Sequence, residues 1–412
     1  MLIVQKYGGT SVANDECIMR AAGRITESFS KGNKLVVVLS AQGVLTDALI
    51  RKARRLNPNA GPREMDMLLS TGEQQSAALM AMAIHKLGFP AISLTAGQVG
   101  IQASTNYGNA RIKNIATSRL NLELERNNIV LVAGFQGINR YGDITTLGRG
   151  ASDTTAVAIA AKLNADLCEI YTDVDGVYTA DPNIITNAIK LREISYEEML
   201  ELASAGTQVL HNRSVEMAKR YRVNLVVRSS MTAAEGTTVK EGVRLVEKLH
   251  VSGVAADDKI ARISLVGVTD KPGMAFHIFS LLAKGNVPVD LILQPVSYNG
   301  IKDVTFTVNK ADLQRSLDIM RANQPSIGYR DLTWAADVAK ITIVGAGMAS
   351  NPGVASMMFE SLYDCGVNIN MISTSEIKIS VLVDRVHMEK ALSAVHDKFI
   401  ESQRDFFVKV VE

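Results

Sequence analysis

Lys6-Tyr7-Gly8-Gly9-Thr10-Ser11 follow directly on the apolar run Leu2-Ile3-Val4. A lysine and two glycines placed where a strand turns into a helix suit the holding of a phosphate. Glycine lets backbone amides approach an anion, the helix expected over about Asp15 to Lys31 offers unpaired N-terminal N–H groups, and the lysine adds charge. The spacing is neither a Walker loop nor a dinucleotide fingerprint, and a tight turn explains the glycine pair equally well. Four further clusters carry polar chemistry. Ser40-Ala41-Gln42-Gly43 ends an apolar run, with Thr46 one turn later. Met65 to Glu73 places a carboxylate in an apolar helical stretch. Thr145 to Thr155, through Gly148-Arg149-Gly150-Ala151-Ser152-Asp153, is a glycine-punctuated loop opening a helix. Tyr171 to Pro182 is rich in turns and carboxylates. Singly, each has a plain reading: Glu73 a solvated helix residue, Ser152 or Asp153 an N-cap, Asp175-Gly176 a hairpin turn.

The elements that must position these residues are legible as apolar runs at Leu35–Leu39, Ala91–Leu94, Ile129–Ala133, Leu167–Tyr171 and Leu225–Val227. Helical segments such as Glu64–Leu87 and Ser152–Leu163 separate them. Strands apolar on both faces and joined by helices predict an α/β three-layer sandwich with a mostly parallel sheet. Ligands of such sheets sit at the carboxyl ends of the strands, where the polar clusters fall. After Thr237-Thr238-Val239 the character changes. Leu265-Val266-Gly267, Pro272-Gly273, Phe279, Leu282, Val287, Val289 and Ile292 match Ile343-Val344-Gly345, Pro352-Gly353, Phe359, Leu362, Val367, Ile369 and Ile372, with an offset of 80 from Gly273 to Gly353. Each copy reads as a small ferredoxin-like α+β unit, with further helices at Ala311–Ala322 and His387–Phe399. The expected domains are 1–240, a linker at 241–248, a first repeat at 249–335 and a second at 336–412, the last strand being available to pair with the first repeat.

The chain has 412 residues, 47% of them hydrophobic and 5% aromatic, enough for two or three domains with full cores. A formal net charge of +2 gives no field that implies nucleic acid or membrane as partner, so small ligands are expected. Cys17, Cys168 and Cys365 are too scattered for a disulfide framework or a CxxC metal site. Without a signal-like start or an apolar stretch of about 18 residues, the expected location is the cytoplasm.

The order of the five clusters resembles the amino acid kinase family across essentially the whole chain, and their wording resembles the aspartate kinases within it. The duplicated C-terminal units resemble paired ACT domains, which bind amino acids where neighbouring copies pack. The family's opening motif is commonly written K-F-G-G-T-S, so Tyr7 is a mild departure that keeps the ring. The resemblance implies transfer of the γ-phosphoryl of ATP, as its Mg²⁺ complex, to the side-chain carboxylate of L-aspartate. It implies Lys6 with Gly8 and Gly9 at the phosphates, and Asp153 orienting Lys6. Arg149 and Glu73 would hold the substrate's carboxylate and ammonium, with Ser40, Thr46 and Ser152 as hydroxyl donors. Thr172, Asp173, Tyr178, Asp181, Pro182 and Asn183 would hold adenine and ribose. Magnesium is expected mainly on the ATP phosphates and water, and no protein ligand is assigned to it. Relatives can carry a lysine near the phosphates where this chain has Gln208; His211 reads as a structural hydrogen-bonding group.

In the repeats, Asp270, Gly273, Met274, Ala275, Asp290 and Gln294 of the first copy, and Val354, Ala355, Asn368, Ile369, Ser375 and Glu376 of the second, resemble effector-contacting positions. The family's usual effectors are lysine and threonine, end products of the biosynthesis that this reaction opens. Homo-oligomer formation through the ACT units is also implied, and some relatives make a separate regulatory chain from an internal start. Rival readings are a glutamate 5-kinase, acetylglutamate kinase or uridylate kinase on the same fold, and a catalytically inactive amino-acid sensor. The tandem ACT region and Leu147-Gly148-Arg149-Gly150 argue against the first group; intact Lys6, Glu73, Arg149 and Asp153 argue against the last.

Overall fold

A computed structural model describes residues 1–148, 150–207, 209–242, 250–346, 348, 351 and 353–400. The chain divides into two compact units, and the division is not a single cut: unit one holds Met1–Tyr178, Lys190–Ser204 and Gln208–Arg244, and unit two holds Thr179–Ile189, Ala205–Thr207 and Leu245–Glu412.

Unit one is built on an eight-stranded sheet. Its strands are β1 (Leu2–Tyr7), β2 (Lys34–Leu39), β3 (Ala91–Leu94), β4 (Ile129–Ala133), β5 (Leu167–Thr172), β6 (Glu193–Ser195), β7 (Leu225–Ser229) and β8 (Thr237–Lys240). The order is β6-β8-β7-β5-β1-β2-β4-β3, and only the β7–β8 pair is antiparallel. β1 lies in the middle, with Ile3 opposite Leu35 on one side and Leu167 on the other. Val36 to Leu39 and Ile129 to Ala133 are fully buried, as expected of strands covered on both faces. Helices α1 (Asp15–Ser30), α2 (Leu45–Leu56), α3 (Pro62–Leu69), α4 (Thr71–Lys86), α5 (Ala151–Leu163), α6 (Tyr196–Ser204) and α7 (Asn212–Tyr221) connect the strands. α1 starts where the Asn14 side chain accepts from the Cys17 N–H, an ordinary N-cap. The stretch expected to be helical from Glu64 is broken at Ser70, which ends α3 and opens α4. A smaller sheet from Ile101–Ala103, Ile112–Ile115, Gln136–Ile138 and Ile144–Thr146 completes the unit. This is the mostly parallel α/β architecture that the sequence implied.

Unit two contains two four-stranded sheets. Their strands are β9 (His250–Asp257), β10 (Ile260–Thr269), β11 (Ile292–Leu293), β12 (Ile301–Asn309), β13 (Asp331–Ala335), β14 (Val338–Ala346), β15 (Met371–Thr374) and β16 (Lys378–Asp384). One sheet is ordered β11-β12-β10-β13 and is backed by α8 (Met274–Lys284) and α9 (Leu313–Ala322); the other is β9-β14-β16-β15, backed by α10 (Val354–Asp364) and α11 (Met388–Ile400). β9 thus departs from the boundary drawn at 249. It precedes the first copy in sequence but pairs antiparallel with β14 of the second, where Val251 and Val254 join that copy's core. Ala180 and Ile185, expected in the first domain, are buried in the same core. Most of the expected linker and the final strand at 401–412 lie outside the described residues.

Cys17, Cys168 and Cys365 are free thiols, the first two buried and the third partly so. Among the described residues no helix is long and apolar enough to cross a membrane.

Candidate active site and effector positions

A cavity of about 670 Å³ opens in unit one at the carboxyl ends of β1 and β2. Of the residues picked out from the sequence, Lys6, Gly9, Ser40, Thr46, Glu73, Ser152 and Asp153 line it. Lys6 Nζ lies 2.7 Å from Asp153 Oδ1, and both side chains are about one-tenth exposed. Asp153 is in the first turn of α5, where the helix N-terminus favours a carboxylate. A buried pair of this kind holds the lysine in one orientation, which suits Asp153 to positioning rather than to proton transfer.

The glycine pair divides its work. The Gly8 N–H is engaged by the Tyr171 carbonyl at 3.1 Å and Gly8 does not line the cavity, so its amide is unavailable for the phosphate contact expected of it. Gly9 does line it. A Cβ on Gly9 would stand 2.7 Å from the Ala41 carbonyl oxygen, so only glycine allows this loop and the Ser40–Gly43 loop to approach so closely. Ser11 Oγ is buried without a hydrogen-bond partner. It is a polar atom in the same loop that the sequence reading quoted without giving it a role.

Glu73 stands in the first turn of α4 and is 4% exposed. Its Oε1 accepts from the Ala41 N–H at 3.2 Å, while Oε2 is buried with no partner. Burial pushes its carboxyl up to about 7, against the opposing pull of hydrogen bonds from its own and the Ala41 backbone. A carboxylate with one oxygen unmet in a cavity is a receptor for a cationic group.

Asp66, Asp47 and Phe135 also line the cavity and were not assigned. Asp66 is 1% exposed and accepts from the Gly108 N–H at 2.9 Å, the Thr146 N–H at 2.9 Å and Thr146 Oγ1 at 2.6 Å. It ties α3 to the Gly108 loop and to the strand Ile144–Thr146 of the small sheet. Phe135 has φ +68°, a left-handed conformation that is costly for an aromatic residue.

Arg149 and Gln208 lie outside the described residues. Leu147 and Gly150 are held from the start of α7. Arg213 donates to the Leu147 carbonyl and, at 3.0 Å, to the Ala110 carbonyl. His211, whose Nδ1 accepts from the Arg213 N–H, has its ring against Gly150. Burial lowers the pKa of His211. Neither residue announced this role in the sequence, because the partners are about 60 to 100 positions away.

The nucleotide candidates do not line the cavity. Thr172 Oγ1 donates to Asp173 Oδ1 at 3.0 Å, and Tyr178 OH donates to Asp175 Oδ1 at 2.7 Å. Asp181, Pro182 and Asn183 belong to unit two, where Asp181 Oδ1 accepts from both nitrogens of Asn183 at 2.9 Å. Among the described residues no group of three His, Cys, Asp or Glu side chains is placed to hold a metal ion.

The amino acid kinase family model matches residues 1–229, and an ACT domain model matches 341–399. Aspartokinase of Geobacillus stearothermophilus is 48% identical over 97% of this chain and 97% of its own, and aspartokinase of Corynebacterium glutamicum 47% identical over 97% and 96%. The chain belongs to the aspartokinases, within the amino acid kinase family. Among solved structures, aspartate kinase from Synechocystis is 44% identical with a TM-score of 0.55, covering 97% of this chain and 69% of that one. Aspartokinase III of E. coli, solved with aspartate and ADP, shares the fold at a TM-score of 0.83 and 24% identity, over 97% and 99% of the two chains.

Aspartokinase membership directs attention to the ACT positions as well. Asp270 is paired with Lys302 at 2.6 Å and Asp290 with Lys340 at 2.5 Å, so both acids already have a cation. Gly273 and Gly353 precede α8 and α10 with φ +87° and +99°. Met274 and Ala275 open α8, and Gln294 follows β11. In the second copy Asn368, Ser375 and Glu376 are exposed and Ala355 and Ile369 partly buried. Val354 is 2% exposed within the core, which leaves only its backbone for a ligand.

Proposed function

We propose that this chain transfers the γ-phosphoryl of MgATP to the side-chain carboxylate of L-aspartate, under feedback control by lysine, threonine or both at its ACT units. The observation that carries the reading is one cavity containing both a buried Lys6–Asp153 pair and a Glu73 oxygen without a partner. An α-amino acid with a second carboxylate needs an ammonium acceptor, which Glu73 supplies, and donors for its carboxylates. Ser40, Thr46 and Ser152 supply hydroxyls, and Arg149, by its place in the sequence, a bidentate cation.

The reaction forms a bond from a substrate carboxylate oxygen to the γ-phosphorus and breaks the bond from that phosphorus to the β–γ bridging oxygen, releasing ADP. The attacking carboxylate is ionised at neutral pH, so no proton has to be removed. Catalysis then rests on alignment and on charge neutralisation. Lys6, held by Asp153, and the Gly9 amide are assigned to the moving phosphoryl group. Mg²⁺ enters with ATP as part of the substrate. Thr172, Asp173 and Tyr178, with Asp181, Pro182 and Asn183, are the proposed nucleotide contacts. The ACT residues named above are the proposed effector contacts, with the Pro-Gly helix starts receiving a carboxylate. A cytoplasmic homo-oligomer completes the reading.

ADP release measured with aspartate, glutamate, acetylglutamate and UMP tests it. Turnover is expected with aspartate alone, falling when lysine and threonine are added singly or together. Lys6→Ala is expected to lower kcat by at least about 10³-fold. Turnover with another acceptor, or none with aspartate, overturns the assignment.

A further inference from the structure

Asp66 and Arg213 form no ion pair among the described residues, and both direct their charge at the same stretch of backbone. From α3, the Asp66 carboxylate accepts the Gly108 N–H through both oxygens, at 2.9 and 3.1 Å. It also accepts the Thr146 N–H at 2.9 Å and the Thr146 hydroxyl at 2.6 Å. From α7, the Arg213 guanidinium donates to the Ala110 carbonyl at 3.0 Å, to Asn109 Oδ1 at 3.3 Å and to the Leu147 carbonyl. The acid thus takes the N–H groups, and the base the oxygens, of two segments, Gly108–Ala110 and Thr146–Leu147. These segments are themselves joined where the Ala110 N–H donates to the Thr146 carbonyl at 2.9 Å. An unpaired charge is expensive to bury, and charge-assisted bonds of this kind offset that cost while fixing the backbone more firmly than neutral ones.

What they hold faces the cavity. Asp66, Gly108, Thr146 and Gly148 all line it, and a Cβ on Gly148 would lie 3.2 Å from Asn109 Oδ1, so the two segments meet at its wall. From Leu147 the chain runs within a few residues to Ser152 and Asp153 in the first turn of α5. Glu73 keeps one oxygen without a partner, whereas both Asp66 oxygens are already engaged by donors of the protein. Asp66 is therefore placed to act on a ligand through the backbone it holds and not by contact.

We propose that Asp66 and Arg213 are positioning residues that work as one clamp, setting the wall of the cavity that receives the phosphoryl acceptor. The identity of that acceptor rests on the aspartate kinase reading; the clamp itself does not.

The test compares Asp66→Asn, Arg213→Met, the double variant, Arg213→Lys and Glu123→Gln in the full-length protein. Glu123 is an equally buried acid, held by Arg119 and Asn128 outside the cavity, and it serves as the control for destabilisation alone. An amide at position 66 has one accepting oxygen and turns an NH₂ toward N–H groups, so Asp66→Asn loosens the segments without changing the shape of the side chain. Asp66→Asn and Arg213→Met are each expected to raise KM for aspartate about tenfold or more, with KM for ATP within about twofold of the parent. Glu123→Gln is expected to lower the melting temperature without that split. The double variant should fall short of the product of the single effects, because either change already frees the same backbone. Arg213→Lys keeps the charge but not the fork, and should recover only part of the loss. Amide hydrogen exchange should quicken at Gly108 and Thr146 in both single variants. An equal rise in both KM values, a like rise in Glu123→Gln, or fully multiplicative effects in the double variant overturns the positioning role, and unchanged exchange overturns the clamp. Exchange decides the clamp even where the parent fails to turn over aspartate, a result that overturns the acceptor assignment instead.

Discussion

Glu73 is a cavity residue whose chemistry burial changes. Burial pushes its carboxyl up to about 7 from the ordinary 4.5, and the proposed contact to the aspartate ammonium requires the charged form. Below pH 7 the incoming substrate must expel a proton, so KM for aspartate is expected to rise about tenfold per pH unit as pH falls from 7 and to level off above it. Steady-state kinetics across this range check the slope, which Glu73→Gln should abolish while raising KM at pH 8. Stability carries the opposite sign. Between pH 4.5 and 7 the folded protein holds a proton that the unfolded chain has lost, so the unliganded protein loses stability as pH rises through that window. Glu73→Gln is therefore expected to melt higher than the parent at pH 8. Tyr7, the departure in the opening motif, is a smaller case. Its ring stacks on Tyr171 at 4.6 Å, but its hydroxyl is buried with no partner. Tyr7→Phe keeps the stack and removes the orphan, so denaturant melts should show a gain of about 1 kcal/mol. A loss would mean that the hydroxyl is satisfied after all.

At the scale of elements, the candidate site depends on loops pinned by residues remote in sequence. Lys6, Glu73 and Asp153 were readable because each belongs to a short motif with its own local geometry: strand into turn, first turn of α4, first turn of α5. Asp66, Phe135 and Arg213 were not, because their roles exist only once Gly108, Thr146 and Leu147 arrive from elsewhere in the chain. Gly150 joins the two kinds of information. Its φ is +68°, and a Cβ there would stand 2.5 Å from the His211 ring, which itself caps α7. Gly150→Ala is expected to cost about 2 kcal/mol in stability. It should also raise KM for aspartate, since Ser152 and Asp153 follow directly. Adding His211→Ala should return only part of the loss, because the backbone strain remains and the Cβ that alanine keeps would still stand 2.8 Å away. Full recovery in the double variant would assign the whole effect to the ring contact.

For the whole molecule, the order of domains along the sequence differs from the order in which cores are built. The repeat of Pro-Gly and apolar positions made two ACT copies legible, since each copy's helix and strands are local. It did not show that β9 crosses to the second copy, because an edge strand's apolar alternation is the same beside either sheet. Nor did it show that Thr179–Ile189, placed by sequence in the kinase domain, packs in unit two. Ile185 is 4% exposed there, among Val251, Ile341, Val381 and Phe399. Truncating it leaves a cavity in a core that begins some 60 residues further along the chain. Ile185→Ala is accordingly expected to destabilise unit two by about 3 kcal/mol. In calorimetry of the intact protein that corresponds to a fall of about 5 to 10 °C in one transition. The transition raised by aspartate, whose proposed contacts all fall in unit one, should move far less. If that transition falls instead, this segment belongs energetically to the catalytic unit, and the boundary suggested by the sequence is the better description of the molecule.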